Sequence, residues 1–147
     1  MRRLLIVVVV LALLVSAIAV MAAPKPQSIF RAQLSGDAVV PPAETNSHGV
    51  ALFKLSGDGE LMYFKLIVAN IEDVVAAHIH LGAPGVNGPV QVGLYTGGLI
   101  EGRFQGTLAE GSFPVSEELL EAIRAGETYV QVHTVAYPGG HIRGQIR

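Results

Sequence analysis

The segment Ala77-His78-Ile79-His80-Leu81-Gly82-Ala83-Pro84-Gly85 joins an alternating apolar and polar stretch to a Pro-Gly turn. Successive side chains of a β-strand point to opposite faces, so we expect Ala77, Ile79 and Leu81 to share one face and the two histidines to share the other. The apolar face is predicted to enter the core. Both histidines are then expected on the solvent side of the sheet or at its rim.

A second segment has the same plan of an apolar stretch, a histidine and a Pro-Gly turn: Val130-Gln131-Val132-His133-Thr134-Val135-Ala136-Tyr137-Pro138-Gly139-Gly140-His141. By the same alternation, His133 is predicted to face outward, away from its valine neighbours. If the two strands are neighbours, His80 and His133 come close, because each precedes its Pro-Gly turn by four to five residues. His141, just after the second turn, can then join them.

The two segments supply four candidate metal ligands, His78, His80, His133 and His141. Neutral imidazoles are ligands for copper or zinc, whereas magnesium and calcium prefer oxygen. The alternative is a structural role, in which one ring nitrogen donates to a turn carbonyl and the other accepts from a hydroxyl such as that of Thr134. The sequence leaves both roles open. His48, in a separate loop, is not assigned to the site.

The rest of the chain predicts an all-β sandwich or barrel, because strand-like stretches alternate with turn clusters rich in Gly, Pro, Asn and Asp. About eight strands are expected, at Ile29–Leu34, Val50–Leu55, Leu61–Ala69, Val75–Leu81, Val90–Tyr95, Arg103–Ala109, Thr128–His133 and His141–Ile146. One short helix is predicted near residues 116–125, with Ser116 as N-cap and Gly126 just past its end. Its apolar stripe is expected to cover an open end of the core.

The N-terminal segment predicts export. Two arginines precede an unbroken apolar run that is followed by small residues, which indicates a signal peptide over residues 1–22 and a short linker over 23–28. The uncharged stretch 4–23 is also about as long as a bilayer-spanning helix, so an uncleaved N-terminal anchor is the alternative. Both readings place the remaining chain in an extracytoplasmic location, either secreted or in the cell envelope.

Charge and composition narrow the classes of partner. The 147 residues carry a formal net charge of −2, which becomes −4 once Arg2 and Arg3 leave with the signal peptide. Nucleic acid and anionic lipid are therefore not expected by net charge, and membrane contact is expected only through the anchor. The chain has no cysteine, so its stability depends on an apolar core. We expect an extracytoplasmic protein or an envelope component as the partner.

Catalytic motifs are missing from the sequence. There is no Gly-x-Ser-x-Gly elbow, no phosphate-binding loop, no His-Glu-x-x-His and no dinucleotide fingerprint. The acids at the start of the predicted helix are accounted for by the helix dipole. The sequence therefore predicts a protein that is not an enzyme.

Three parts of the chain carry a family resemblance. They are Leu34-Ser35-Gly36 with Val40-Pro41-Pro42 and Gly49; Ala77-His78-Ile79-His80 with Gly82, Pro84-Gly85 and Gly88-Pro89; and Val132-His133-Thr134 with Tyr137-Pro138-Gly139-Gly140 and Ile142-Arg143-Gly144-Gln145. With these motifs, residues 29–147 resemble the CHRD (chordin-type) domain family. The resemblance implies an immunoglobulin-like antiparallel Greek-key sandwich or barrel, an extracellular setting and a role in binding or interaction. Family members mostly have an acidic or other polar residue where this chain has His141, so the resemblance does not imply a four-histidine site.

Overall fold

The computed structural model describes residues 27–147. The predicted signal peptide or anchor, and linker residues 23–26, lie outside this described part. The described elements are β1 (Ile29–Ser35), β2 (His48–Leu55), β3 (Leu61–Leu81), β4 (Val90–Tyr95), β5 (Ile100–Pro114), α1 (Glu117–Arg124), β6 (Thr128–Thr134) and β7 (Ile142–Gln145). Within residues 27–147, no helix has both the length and the apolar character needed to cross a bilayer.

The long strand β3 belongs to both halves of the sheet. Its first half pairs with β2 and β5, and its second half pairs with β6 and β4. Between the halves the strand bends at Asn70 and Asp73, which have φ of 54° and 52°. The sequence predicted two strands here, Leu61–Ala69 and Val75–Leu81. The prediction of a break was wrong because the irregular residues bend the strand without ending its pairing, so seven strands form where about eight were expected.

Pairing closes the sheet on itself. The strand order is β2-β1-β7-β6-β3-β4, with β5 on β3 and an additional β2–β3 pairing that completes the closure. Every pairing in the described part is antiparallel. The predicted all-β antiparallel sandwich or barrel with one short helix is therefore confirmed. In that helix the Ser116 side chain caps the first turn and accepts from the Leu119 N–H, while Leu120 and Ile123 are buried.

The alternation predicted at the end of β3 holds for most of the strand. Ala77 and Ile79 are completely buried among the core residues, on the face predicted for them. Leu81 was expected to join them but is 38% exposed. It is the last residue of β3, and its N–H bonds to the Pro89 carbonyl as the chain leaves the sheet. The strand therefore ends before Leu81 can enter the core.

This difference gives a direct stability test with two aliphatic residues on the same strand. We expect Ile79→Ala to lower the free energy of unfolding by about 2–5 kcal/mol, because it leaves a cavity at a fully buried site. Leu81→Ala removes a similar volume from a partly exposed site, so its effect is expected to be below about 1 kcal/mol. Urea denaturation of both variants measures this difference, and equal losses would contradict the burial of Ile79.

Candidate metal centre

Three histidines meet on the outer face of β3 and β6. In the antiparallel register His78 lies opposite Gln131, and His133 lies opposite Ala76 on the same face. The ring centroids are 5.7 Å apart for His78 and His80, 5.1 Å for His78 and His133, and 5.8 Å for His80 and His133. One nitrogen from each ring lies within 4.8 Å of the other two. The pairing of β3 with β6 thus produces the approach that the two sequence segments predicted.

Two of these rings are held by loop carbonyls. His80 Nδ1 bonds to the Gly88 carbonyl oxygen at 2.9 Å, and His133 Nδ1 bonds to the Pro138 carbonyl oxygen at 2.9 Å. Because a carbonyl oxygen only accepts hydrogen bonds, each Nδ1 must carry the proton. In a neutral ring the Nε2 atom then presents a free lone pair. Metal-binding histidines in proteins are commonly oriented by a second bond of this kind.

Three ring nitrogens of the cluster, one from each histidine, have no hydrogen-bond partner among the described residues. They are His78 Nδ1, His80 Nε2 and His133 Nε2, and all three are buried. A buried polar atom that forms no bond costs about 1–3 kcal/mol, so three of them side by side are unfavourable unless they bind something. The structural and metal-binding roles are therefore compatible, since each oriented ring uses one nitrogen for its loop and leaves the other free.

Burial also lowers the pKa of two rings of this cluster, those of His78 and His133, which favours their neutral form. The pKa of His78 is lowered by desolvation and by the nearby His80. The pKa of His133 is lowered mainly by desolvation; its bond to Pro138 opposes this change, and the two neighbouring histidines add to it. A neutral imidazole is the form that binds a metal ion, so these shifts favour metal binding at neutral pH.

The site is more enclosed than alternation predicted. His80 was expected toward solvent but is only 8% exposed, because the 82–89 loop folds back over the outer face of the sheet. Its ring stacks on Tyr129 with centroids 4.9 Å apart and an interplanar angle of 8°. Tyr129 in turn bonds to the loop, since its hydroxyl accepts from the Gly88 N–H at 3.0 Å. The predicted facing of His80 was correct, but its exposure was not.

Arg143 holds the 82–89 loop against the sheet through hydrogen bonds to its backbone. Its guanidinium donates to the Ala83 and Val86 carbonyl oxygens at 3.1 and 2.9 Å, and it lies 3.5 Å from the centre of the Tyr129 ring. A second nitrogen donates to Asn87 Oδ1 at 3.2 Å. Sequence reasoning gave no role to Arg143 or Tyr129. For Arg143, the feature of the sequence that could have indicated a role is a charged residue within a predicted strand, in the Ile142-Arg143-Gly144-Gln145 motif.

Two glycines let the loops approach the sheet. A Cβ at Gly88 would collide with the Leu81 carbonyl oxygen, and a Cβ at Gly140 would collide with the Gln131 side chain. Gly140 also has φ of 134°, which side chains disfavour. Gln131 uses its contact there to donate to the Gly139 carbonyl at 2.8 Å. The Pro-Gly turns in the sequence are therefore the parts of the chain that cover the cluster.

His141 does not join the cluster. Its Nε2 lies 2.8 Å from Thr45 Oγ1 and 3.1 Å from Ser47 Oγ, and its Nδ1 lies 2.9 Å from Thr134 Oγ1. Both ring nitrogens are thus engaged by hydroxyls in a buried network. The expectation that a histidine pairs with Thr134 applies to His141. The structure therefore brings together three of the four predicted ligands, and His48 remains exposed at the start of β2.

A closed antiparallel β structure, with its outer face covered by two Pro-Gly loops, defines a small β-domain of the kind the sequence motifs indicated. The CHRD domain family matches residues 30–146, so this chain belongs to the CHRD domain family. It is 35% identical over 122 residues to chordin from Xenopus laevis.

The match with chordin is partial in one direction. It covers 77% of this chain but 12% of chordin, so chordin is a much longer protein. No solved structure matches this chain. The comparisons therefore establish the family of this chain but identify no ligand for it.

The His141 network predicts how stability depends on pH. Burial lowers the pKa of His141 below its usual 6.5, and the nearby Glu72 opposes that change. Between the two pKa values the unfolded chain binds more protons, so this contribution is complete above pH 6.5 and is lost as the pH falls toward the folded-state pKa. We expect the denaturation midpoint to decrease over that interval.

Variants at two histidines test this assignment. His141→Gln is expected to lower the free energy of unfolding at neutral pH by about 1–3 kcal/mol, because buried hydroxyls lose their partner. It should also make the pH dependence shallower. His48→Gln, at an exposed site, is the matched control and should behave like the wild type. An unchanged pH dependence in His141→Gln, measured by chemical denaturation across the pH range, would contradict this role.

Proposed function

We propose that this chain is an extracytoplasmic, non-enzymatic binding domain that holds one copper or zinc ion with His78, His80 and His133. The observation that carries the proposal is the set of three buried ring nitrogens, one from each histidine, that have no partner among the described residues. Two of the rings are already oriented by loop carbonyls. Family membership supports the broader role in binding, and the sequence of the N-terminal segment supports the location.

The geometry is close to that of a bound ion. Ligands that share one ion at about 2.0–2.1 Å are separated by about 3–4 Å. One nitrogen from each of the three rings lies within 4.8 Å of the other two, so a closure of about 1 Å would complete the site. Small rotations of the half-buried His78 and His133 side chains supply such a movement.

The donor set limits the choice of metal. Three imidazole nitrogens, without thiolate or carboxylate in the group, suit copper or zinc and disfavour calcium and magnesium. Three protein ligands also leave a coordination position for a further ligand. Such a site suits metal storage or a redox role in an exported protein.

The protein partner of this domain is a separate part of the proposal. We place its contact on the Ala83–Pro89 loop. Most residues of this loop are exposed to solvent, and Arg143 holds the loop backbone in place. A rigid scaffold that presents a fixed loop is typical of binding domains. An envelope protein captured by the wild type, and lost when this loop is replaced, is the expected result; equal capture by the replaced form would contradict this placement.

Metal titration of the purified chain tests the proposal. We expect one equivalent of Cu²⁺ or Zn²⁺ to bind with submicromolar affinity in isothermal calorimetry. Single substitutions His78→Ala, His80→Ala and His133→Ala should each weaken binding by at least about 100-fold, since each removes a direct ligand. The bound form should also unfold at a higher temperature. At a metal concentration 100 times the Kd, its free energy of unfolding should rise by about 2.7 kcal/mol.

His48→Ala is the matched control because it removes an exposed imidazole away from the cluster. It should leave the stoichiometry and affinity unchanged. X-ray absorption of the loaded protein should show imidazole nitrogens at about 2.0–2.1 Å. Binding that survives in all three cluster variants, or the absence of stoichiometric binding, would overturn the metal site.

A further inference from the structure

A second surface, which includes the half of β3 that does not carry the histidines, combines cations with exposed apolar side chains. It is the outer face of β1, β2 and the first half of β3. In the register Arg31 lies opposite Leu52, which lies opposite Lys65. The next row is Ile29, Lys54 and Tyr63. We refer to these six residues as the cationic face.

The apolar members of this face are unusually open to solvent. Ile29 is 65% exposed, Leu52 is 44% exposed and Tyr63 is 49% exposed. Each lies opposite a cation on the neighbouring strand. Charged and apolar groups therefore alternate both along the strands and across them. A solvated sheet face normally carries polar residues at such positions. The pattern is instead that of a surface that meets a partner with both charge and hydrocarbon.

The charge of this face opposes that of the whole chain. Among the described residues its one ion pair joins Lys65 to Glu110 on β5, at 3.1 Å. Asp58, in the turn beyond Lys54, is bonded within that turn to Ser56. Among the described residues Arg31 and Lys54 form no ion pair. The face is therefore positive although the chain has a net charge of −2.

We propose that the cationic face rests on an anionic membrane surface. Lysine and arginine are attracted to the negative charge of lipid headgroups, and tyrosine is favoured at the boundary between headgroups and hydrocarbon. Three neighbouring strands in continuous register form a broad face, which fits a lipid surface better than it fits a single peptide strand. The expectation against anionic lipid used the net charge, which averages over this local excess.

The entry of the chain supports the same partner. Five residues, 24–28, separate the uncharged stretch 4–23 from Ile29, the first residue of the face. Five residues span at most about 18 Å when fully extended. When the predicted anchor is retained, Ile29 is thus held within about 20 Å of the bilayer, and a weak contact of the face becomes an intramolecular one. This inference does not depend on the metal site.

Fluorescence of a single tryptophan tests the contact on the full chain, which has no natural tryptophan. Tyr63→Trp places the reporter on the cationic face, and Leu99→Trp places a control reporter at an exposed site between β4 and β5. Both proteins are bound to vesicles of phosphatidylcholine alone or mixed equally with phosphatidylglycerol, with brominated acyl chains as quenchers. We expect the Tyr63→Trp reporter to be quenched in the anionic vesicles and the Leu99→Trp reporter to stay unquenched.

Charge reversal identifies the cause of any quenching. In the Tyr63→Trp background, Arg31→Glu and Lys54→Glu should each reduce the ratio of membrane-contacting to free domain by at least about fivefold, since each removes one cation and adds an anion. Arg103→Glu and Arg124→Glu, which change cations outside the face, should have little effect. Added salt should weaken the contact in the parent reporter protein, which provides a readout without charge substitutions.

Several results would overturn this assignment. Equal quenching of both reporters would show that the domain has no preferred orientation on the bilayer. Quenching that is the same in uncharged vesicles would remove the electrostatic basis. A change in the fluorescence of the Tyr63→Trp reporter with poly-glutamate, without quenching by anionic vesicles, would assign the face to an acidic protein instead.

Discussion

The double pairing of β3 is the constraint on which the rest of the structure depends. One strand supplies neighbours for β2 and β5 in its first half and for β6 and β4 in its second half. The bend at Asn70 and Asp73 makes this possible without an interruption of the strand. Because the second half pairs with β6, His78 and His80 come to lie beside His133. The same path that closes the sheet therefore assembles the histidine cluster.

In the proposed metal site, one imidazole serves both the fold and a bound ion. Each ring has two nitrogens with separate roles, and in His80 and His133 the Nδ1 atom is committed to a loop carbonyl. That bond fixes the tautomer and the direction of the other nitrogen. His141 shows the contrasting case, in which both nitrogens are taken up by hydroxyls. The hydrogen-bond partners thus distinguish the two kinds of histidine.

Sequence periodicity predicted the fold class and the facing of the cluster, because alternation along a strand is a local property. It did not predict that His80 would be covered, since this depends on Arg143 and Tyr129 holding a loop from another part of the chain. It also treated Leu81 as a core residue, although the pairing that decides where β3 ends involves distant strands. Net charge likewise contains no positions, so it could not indicate that Arg31 and Lys54 lie near each other on one exposed face.

The neighbouring positions of β1 and β7 have a consequence for domain architecture. Arg31 and Arg147 exchange backbone hydrogen bonds of 2.8 and 2.9 Å, so the chain enters β1 and leaves β7 at the same end of the domain. A domain of this form can be inserted into a longer polypeptide, or repeated in tandem, with little displacement of the flanking chain. Chordin, of which the matched region is 12%, is a protein long enough to contain such insertions.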